Sequence, residues 1–177
     1  MVDFVKQMPR GQPWIVYIDN YFTSVRLLHD LKVDYGVYAT GTVNVWSKMC
    51  PAVLASMQPS LRKAKRGTSS YVMSKPGILV LSWNDAAPGA KKKCVSFAST
   101  VSGPTSSQLV KRWVRRQAAV EIPQPDVAKD YSANMGSVDR NNRAAEVYRT
   151  GGKTAKWWWA VFWHLMDSLI HNAWVLM

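Results

Sequence analysis

The feature that most constrains the fold is a strand, a helix and a second strand within the first 43 residues. The run from Trp14 to Ile18 is rich in β-branched and aromatic residues, which favours a buried strand. Thr23 and Ser24 are suitable helix N-caps, and a second strand is predicted at about Gly36 to Val43. The apolar stripe of the helix between them consists of Val25, Leu28 and Leu31. This order of elements predicts an α/β core.

The middle of the chain has a different texture. From Asn44 to Gly103 a short helix is predicted after Pro51, followed by several strand-like runs separated by turn residues. These runs are Tyr71–Met73, Ile78–Trp83 and Cys94–Val101. The segment from Pro104 to Gln124 is polar and basic. We therefore interpret residues 44–124 as a β-rich insert followed by a basic linker.

Two helices are predicted in the C-terminal third. Apolar residues at helical spacing predict the first, which runs to about Arg149 through Gly136. These residues are Val127, Tyr131, Met135 and Val138. The second is rich in tryptophan and extends from Trp157 to Met177. It contains Asp167, and a central Asp costs about 2.5 to 3.5 kcal/mol in a membrane span, so we expect no membrane partner.

The charge of the chain is strongly positive. It has 23 Lys and Arg against 11 Asp and Glu, a net charge of +12 and a pI near 9.9. This balance favours a polyanionic partner such as nucleic acid. The two cysteines, Cys50 and Cys94, indicate neither a disulfide framework nor a zinc site, and the N-terminus lacks the pattern of a signal peptide. We therefore expect an intracellular protein.

Clusters of basic residues are candidates for binding DNA phosphates. Our candidate DNA-binding residues are Lys63, Lys65, Arg66, Lys111, Arg112, Trp113, Arg115 and Arg116. Trp113 could stack on a distorted or flipped base. Each cluster alone is more often a solvated surface, and the first is equally compatible with a nuclear localisation signal.

Two carboxylates are candidates for chemistry. Asp19 follows a buried strand, where α/β sheets present functional groups, although an Asp there is more often a turn or capping residue. Asp139 shares a predicted helix face with Asn142 and Glu146. A solvated polar face is the commoner explanation of that pattern.

Several segments in order resemble piggyBac-type transposases. Ile18–Ser24 resembles the family's DN-(aromatic)-FTS segment, and Tyr131–Asp139 resembles its YNxxMGGVD segment. Gly41–Val43 resembles the family's GTV strand. Val80–Asp85 resembles its WxD hairpin, and Ser99 and Thr100 match the Ser-Thr pair that follows the hairpin. The segment from Lys156–Trp158 to Asn172 and Ala173 resembles its KWW helix, which ends in NA. The resemblance thus covers nearly the whole chain.

The resemblance implies a partial RNase H-like fold in which three carboxylates bind divalent metal. It assigns Asp19 as the second and Asp139 as the third, which are expected to converge, whereas the first has no counterpart in this sequence. It divides the chain into a partial core at 1–43, the insert and linker at 44–124, and C-terminal helices at 125–177 that complete the core. The family usually has an Asp followed by Gln where this chain has Asn142 and Arg143, and Ser137 replaces a glycine.

The activity that the resemblance implies is DNA strand cleavage and transfer into TTAA targets. It would use Mg²⁺ or Mn²⁺, without any organic cofactor, and it would act in the nucleus. We expect the chain to be a truncated catalytic domain that is inactive alone, with DNA as its partner, and we leave a homodimer open. The alternative is a non-catalytic DNA-binding or interaction protein derived from a transposable element.

Overall fold

The computed structural model describes residues 2–9, 11–47, 50–86, 94–103, 107–114, 117–147, 149–150 and 156–177. Their helices are α1 Val2–Lys6, α2 Val25–Tyr35, α3 Ala52–Lys63, α4 Asp126–Asn134, α5 Ser137–Val147 and α6 Trp157–Leu176. Their strands are β1 Ile15–Ile18, β2 Tyr38–Thr42, β3 Ser69–Met73, β4 Leu79–Asn84, β5 Cys94–Ser99, β6 Ser107–Val114 and β7 Gln117–Pro125. The chain divides into two compact units, Met1–Ala133 and Asn134–Met177.

The predicted strand, helix and strand at the N-terminus are confirmed. β1 and β2 pair in parallel and are connected by α2. The Ser24 side chain accepts a hydrogen bond of 3.1 Å from the Leu27 N–H and so caps the first turn of α2. Gly36 ends the helix with a left-handed φ of 64°, a conformation that glycine adopts without a steric penalty.

The strands of the predicted insert continue the same sheet. The five strands have the order β1-β2-β5-β4-β3, with β1 and β3 at the two edges. β2 and β5 are antiparallel and bring Thr40 opposite Ser99. The segment 44–103 therefore extends the sheet that β1 and β2 begin.

One face of the sheet packs against α2 and α3. Every second residue of β4 points to this face: Val80 lies in the core, and Ser82 and Asn84 meet α3. The buried Gln58 donates to Ser82 Oγ at 2.7 Å, which lies 2.6 Å from the hydroxyl of Ser96. Polar groups inside this interface are thus paired with one another.

The opposite face is covered by α4 and by a hairpin of β6 and β7. Leu79, Leu81 and Trp83 form a core there with Ile122 and Val127. The Trp83 indole donates to the Pro123 carbonyl at 3.0 Å. The segment that we interpreted as a basic linker is therefore mostly a hairpin. It folds as strands because packing against β4 buries Ile122 and part of Val110, a tertiary effect that outweighs its polar composition.

The second unit consists of α5 and α6. The single helix predicted from Val127 to about Arg149 is two helices instead, because the chain leaves helical geometry at Met135 and Gly136. The predicted Trp-rich helix is confirmed, and its buried Asp167 accepts hydrogen bonds from Thr150. Of the helices that the structure describes, none is long and apolar enough to cross a membrane.

α4 is attached to the edge strand β1 by a polar contact. The Tyr17 hydroxyl donates to Asp130 Oδ2 at 2.9 Å, between residues 113 positions apart in sequence. Burial raises the pKa of Tyr17 to about 12, and the hydrogen bond to Asp130 and its negative charge act in the same direction. The contact holds α4 beside the carboxyl end of β1.

The first prediction concerns Asn84, whose side chain joins α3 to the sheet. It donates to the carbonyls of Leu61 at 3.0 Å and Ala64 at 3.1 Å, and it is buried. Asn84→Ala leaves both carbonyls without this donor and should lower the free energy of unfolding by about 2 to 3 kcal/mol. The measurement is urea unfolding followed by circular dichroism. The control is Asn44→Ala, because Asn44 is exposed and accepts one bond from Trp46 N–H. Equal losses in the two variants would contradict the prediction.

The second prediction concerns the ionisation of Tyr17. Subtracting the tyrosinate absorbance titration of Tyr17→Phe from that of the parent should isolate one group with a midpoint near 12. Because the folded pKa exceeds the ordinary value of about 10, the stability that Tyr17 contributes is complete below pH 10 and is lost as pH rises through 12. Asp130→Asn should lower the midpoint, since two of its three causes involve Asp130. A midpoint at the ordinary value in the parent would show that the contact is absent in solution.

Candidate functional site

The loop that follows β1 is held by hydrogen bonds to its own backbone. The carbonyl of Asp19 accepts from the N–H groups of Phe22 at 3.0 Å and Thr23 at 3.1 Å, and the Thr23 hydroxyl donates to it at 2.8 Å. Asp19 Oδ1 accepts from the N–H of Asn20 at 2.7 Å. The loop from Asp19 to Ser24 is therefore a defined turn that leads directly into α2.

Gly41 on β2 allows this loop to lie against the sheet. A Cβ at Gly41 would overlap the Thr23 hydroxyl and would lie 2.6 Å from the carbonyl oxygen of Ile18. Both contacts are shorter than real carbon atoms permit, and one of them is to backbone. Glycine at this position thus fixes how closely the ends of β1 and β2 approach each other.

Asp19 is exposed at the carboxyl ends of the parallel strands, and Tyr131 from α4 lies near it. The Tyr131 hydroxyl is 3.5 Å from that of Thr42, and its ring meets Phe97 edge-on at 5.6 Å. Burial raises the pKa of Tyr131 most, the hydrogen bond to Thr42 lowers it, and the negative charge of Asp19 raises it. The structure therefore brings the beginning of the second predicted motif to the first.

Asp139 belongs to the second unit. It lies in the first turn of α5 and is exposed, as are Asn142 and Glu146 on the same helix. The expected convergence of Asp139 with Asp19 stays a prediction. Within the described ranges, no three His, Cys, Asp or Glu side chains are close enough together to hold a metal ion.

The candidate DNA-binding residues fall into two groups. Lys63 and Lys65 are exposed at the end of α3, and Lys111 and Trp113 are exposed on β6. Trp113 is 74% exposed, so it is not a core residue of the described structure. These four side chains are accessible to a polyanion.

Arg66 and Arg112 are instead held by one carboxylate. Arg66 donates to Asp85 Oδ1 through Nη2 at 2.8 Å and through Nε at 3.1 Å. Arg112 Nε lies 3.6 Å from Asp85 Oδ2, and its guanidinium lies 5.6 Å from the centre of the Trp83 ring. Arg66 is only 16% exposed. Arg115 and Arg116, the other two candidates, lie outside the described residues.

Three residues near these sites were missed by reasoning from sequence alone. Tyr131 was assigned to an apolar helix face and to the start of the second motif, Tyr17 to a buried strand, and Asp85 to a turn and to the WxD hairpin, but none of them to a contact near these sites. The contacts of Tyr17 and Asp85 join residues far apart in sequence, and no local pattern signals them. Tyr131 had a usable signal, because it opens the second motif.

Comparisons with known proteins identify the family. The family model described as "Transposase IS4" matches residues 1–174. The human PiggyBac transposable element-derived protein 3 is 31% identical over 167 residues, which are 94% of this chain and 26% of the relative. The human PiggyBac transposable element-derived protein 2 is 29% identical over 93% of this chain and 26% of the relative. The more distant human protein 5 is 20% identical over 94% of this chain and 30% of its own length.

The chain spans about a quarter of the length of the first of these relatives. No solved structure matches it. The match of the family model runs through both units, including the segments that contain Asp19 and Asp139. The chain therefore belongs to the transposase family, among its piggyBac-derived members.

Proposed function

We propose that this chain is the part of a piggyBac-like transposase catalytic domain that carries two of its three metal-binding carboxylates, Asp19 and Asp139. The observation that carries the proposal is the exposed position of Asp19 at the carboxyl ends of β1 and β2, with the Tyr131 hydroxyl 3.5 Å from that of Thr42 at the end of β2. Ligands of open α/β sheets bind at such strand ends. The motif that begins at Tyr131 also contains Asp139. One stretch of sequence therefore includes both this tyrosine and the second of the two carboxylates.

The sheet supports a partial RNase H-like fold as part of the proposal. A parallel pair, β1 and β2, is followed by antiparallel strands, and β1 lies at the edge. The family resemblance implies that a strand with the first carboxylate pairs beside β1. We propose that residues other than these 177 supply that strand.

The substrate that we propose is DNA, and the family implies divalent metal use. Bound Mg²⁺ or Mn²⁺ would stabilise the charge on the attacking and leaving oxygens of a phosphodiester, without an organic cofactor. Metal affinity depends on the number and charge of oxygen ligands. Asp19 and Asp139 supply two carboxylates, which are few ligands for a site that holds two metal ions. We therefore propose that the chain alone does not cleave DNA.

The charge distribution supports DNA as the partner. We propose that the protein acts in the nucleus, as the family resemblance implies. The net charge is +12, and Lys63, Lys65 and Lys111 are exposed. Trp113 stands on the same strand as Lys111, where an aromatic ring can stack on a base. Arg66 and Arg112 would act less directly, because Asp85 already neutralises part of their charge.

A second candidate is a non-catalytic DNA-binding protein derived from a transposable element. The observation in its favour is Asn142, which is exposed on α5 where the family usually has a carboxylate. An amide brings no charge to a hard cation and binds it less well. This candidate shares the DNA-binding surface with the first and differs in metal binding.

The third prediction tests the two carboxylates directly. Titration of the chain with Mn²⁺ should broaden the amide NMR signals of residues around Asp19 and around Asp139 at the same metal concentration, because both would bind one ion. Asp19→Asn should shift both sets to higher concentration, since the ion loses a charged ligand. In a plasmid nicking assay with the same metal, the parent chain should show no activity.

Two outcomes separate the candidate functions. Broadening around Asp19 that persists in Asp19→Asn would exclude this residue as a ligand. Independent broadening of the two sets would remove the shared site and leave the DNA-binding candidate. The control is Asp34→Asn, a carboxylate at the end of α2 that is exposed and lies outside the matched motifs.

The fourth prediction concerns the salt dependence of DNA binding. Binding to duplex DNA should weaken steeply as salt rises, with a log–log slope of about −0.9 for each phosphate contact. A triple alanine variant of the exposed surface should reduce the magnitude of that slope by about 2 to 3. The three substituted residues are Lys63, Lys65 and Lys111.

The control removes the same charge elsewhere. It replaces three exposed lysines by alanine and should leave most of the slope in place, since loss of net charge alone removes no specific contact. These lysines are Lys6, Lys75 and Lys129. Equal reductions in both variants would mean that DNA recognises only the overall charge, and salt-independent binding would point to a protein partner instead.

A further inference from the structure

A cavity of about 400 Å³ lies beside Asp19. We call it the loop pocket and define it by Asn20, Tyr21, Phe22, Val43, Asn44 and Ser47. Its size falls in the range of about 300 to 1,000 Å³ that is usual for small-ligand sites. Because it joins the loop after β1 to the segment after β2, it lies at the carboxyl ends of the two parallel strands.

The loop pocket presents two aromatic rings to solvent. Tyr21 is 86% exposed and Phe22 is 58% exposed. Their ring centroids are 5.0 Å apart with an interplanar angle of 85°, so the rings meet edge to face. Neither ring contributes to either core cluster of the described structure. Both rings are therefore available to stack on a ligand.

The backbone beneath these rings is fixed. The Phe22 and Thr23 N–H groups bond to the Asp19 carbonyl, and Gly41 lets Thr23 pack directly on the end of β2. A ligand would therefore meet rings on a preformed turn, which reduces the entropy lost on binding. Asn20 and Tyr21 are the first and second residues after Asp19 in the sequence.

The polar lining suits the edge of a base. Asn44 Oδ1 accepts from the Trp46 N–H at 3.1 Å, which orients the amide. The amide can donate through Nδ2 to a carbonyl or ring nitrogen acceptor. Asn20 adds a second side-chain amide on the other side of the loop pocket. Aromatic faces combined with amide groups are the usual means of holding an unstacked base.

We infer that the loop pocket binds one unpaired base of a DNA strand that passes Asp19. This inference rests on the proposed function, because DNA is the substrate in both. Tyr21 would stack on the base and Asn44 would bond to its edge. A strand held in this way would be distorted next to Asp19, and the pocket would favour DNA that unpairs easily at that position.

The test measures whether the chain distinguishes an unpaired base from its absence. The probes are two fluorescein-labelled duplexes, one with a single unpaired adenine and one with an abasic residue at the same position. Fluorescence anisotropy at low salt gives the affinity of the 177-residue chain for each. We expect the chain to bind the adenine duplex about tenfold more tightly, as stacking on an aromatic ring allows.

Variants locate the effect. Tyr21→Ala should remove most of the preference and change the affinity for the abasic duplex less than twofold, whereas Tyr21→Phe should keep it because the ring remains. Tyr71→Ala is the matched control: Tyr71 is also exposed, at 47%, but lies on β3 at the other edge of the sheet. Because Tyr21 is so exposed, its substitution leaves the core intact.

Equal affinity for the two duplexes in the parent chain would overturn the inference, and so would equal losses in Tyr21→Ala and Tyr71→Ala. Mn²⁺ titration of the parent chain, as in the third prediction, separates this inference from the proposed function. If the preference for the unpaired base remains while Mn²⁺ binding at Asp19 proves absent, the metal site fails and the base pocket stands. If Mn²⁺ binds at Asp19 but the chain shows no preference for the unpaired base, the metal site stands and the base pocket fails.

Discussion

The pairing of β2 with β5 is the contact on which the rest of the first unit depends. β2 belongs to the N-terminal strand, helix and strand, and β5 comes from the segment more than fifty residues later. The Thr40 and Ser99 hydroxyls are 2.8 Å apart and buried, and the Thr100 hydroxyl accepts from the Ala39 N–H at 2.8 Å. Buried hydroxyl pairs specify register, because a shift by one residue would leave each of them unsatisfied.

Fixing β2 also fixes the candidate site. Gly41 lies in the paired part of β2, opposite Ala98. Thr23 of the loop after β1 occupies the space that a side chain at this position would fill. α4 closes the same region from the other face of the sheet through Tyr17 and Tyr131. Asp19 thus stands on a loop whose neighbours are held by the sheet on one side and by a helix on the other. Such support is what positions a functional carboxylate accurately.

Asp85 separates the structural basic residues from those available to a partner. It lies directly after β4 and binds Arg66 from the loop after α3 and Arg112 from β6. The hairpin is thereby joined to the sheet by charge as well as by the Trp83 core. Lys111 and Trp113 flank Arg112 along β6, and both are exposed to solvent. One strand therefore contributes both to folding and to the proposed DNA surface.

Local patterns were sufficient for several elements. The β-branched run before Asp19, the capping hydroxyl of Ser24 and the glycine after α2 each act within a few residues, so β1 and α2 could be predicted from them. The family resemblance selects Asp19 and Asp139 as metal ligands, and that assignment stays a prediction. The long predicted helix failed at Met135 and Gly136, because apolar spacing alone does not register a break in the backbone.

The sequence by itself therefore determined the α/β class, the basic character, the positions of the carboxylates and membership of the family. Only the tertiary structure decided that residues 107–125 form a hairpin, that Asp85 holds two of the candidate arginines, and that the Tyr131 hydroxyl of α4 lies 3.5 Å from that of Thr42 at the end of β2. The physical reason is the range of the interactions. Capping, alternation and turn geometry depend on near neighbours, whereas these contacts join residues that only the folded sheet brings together.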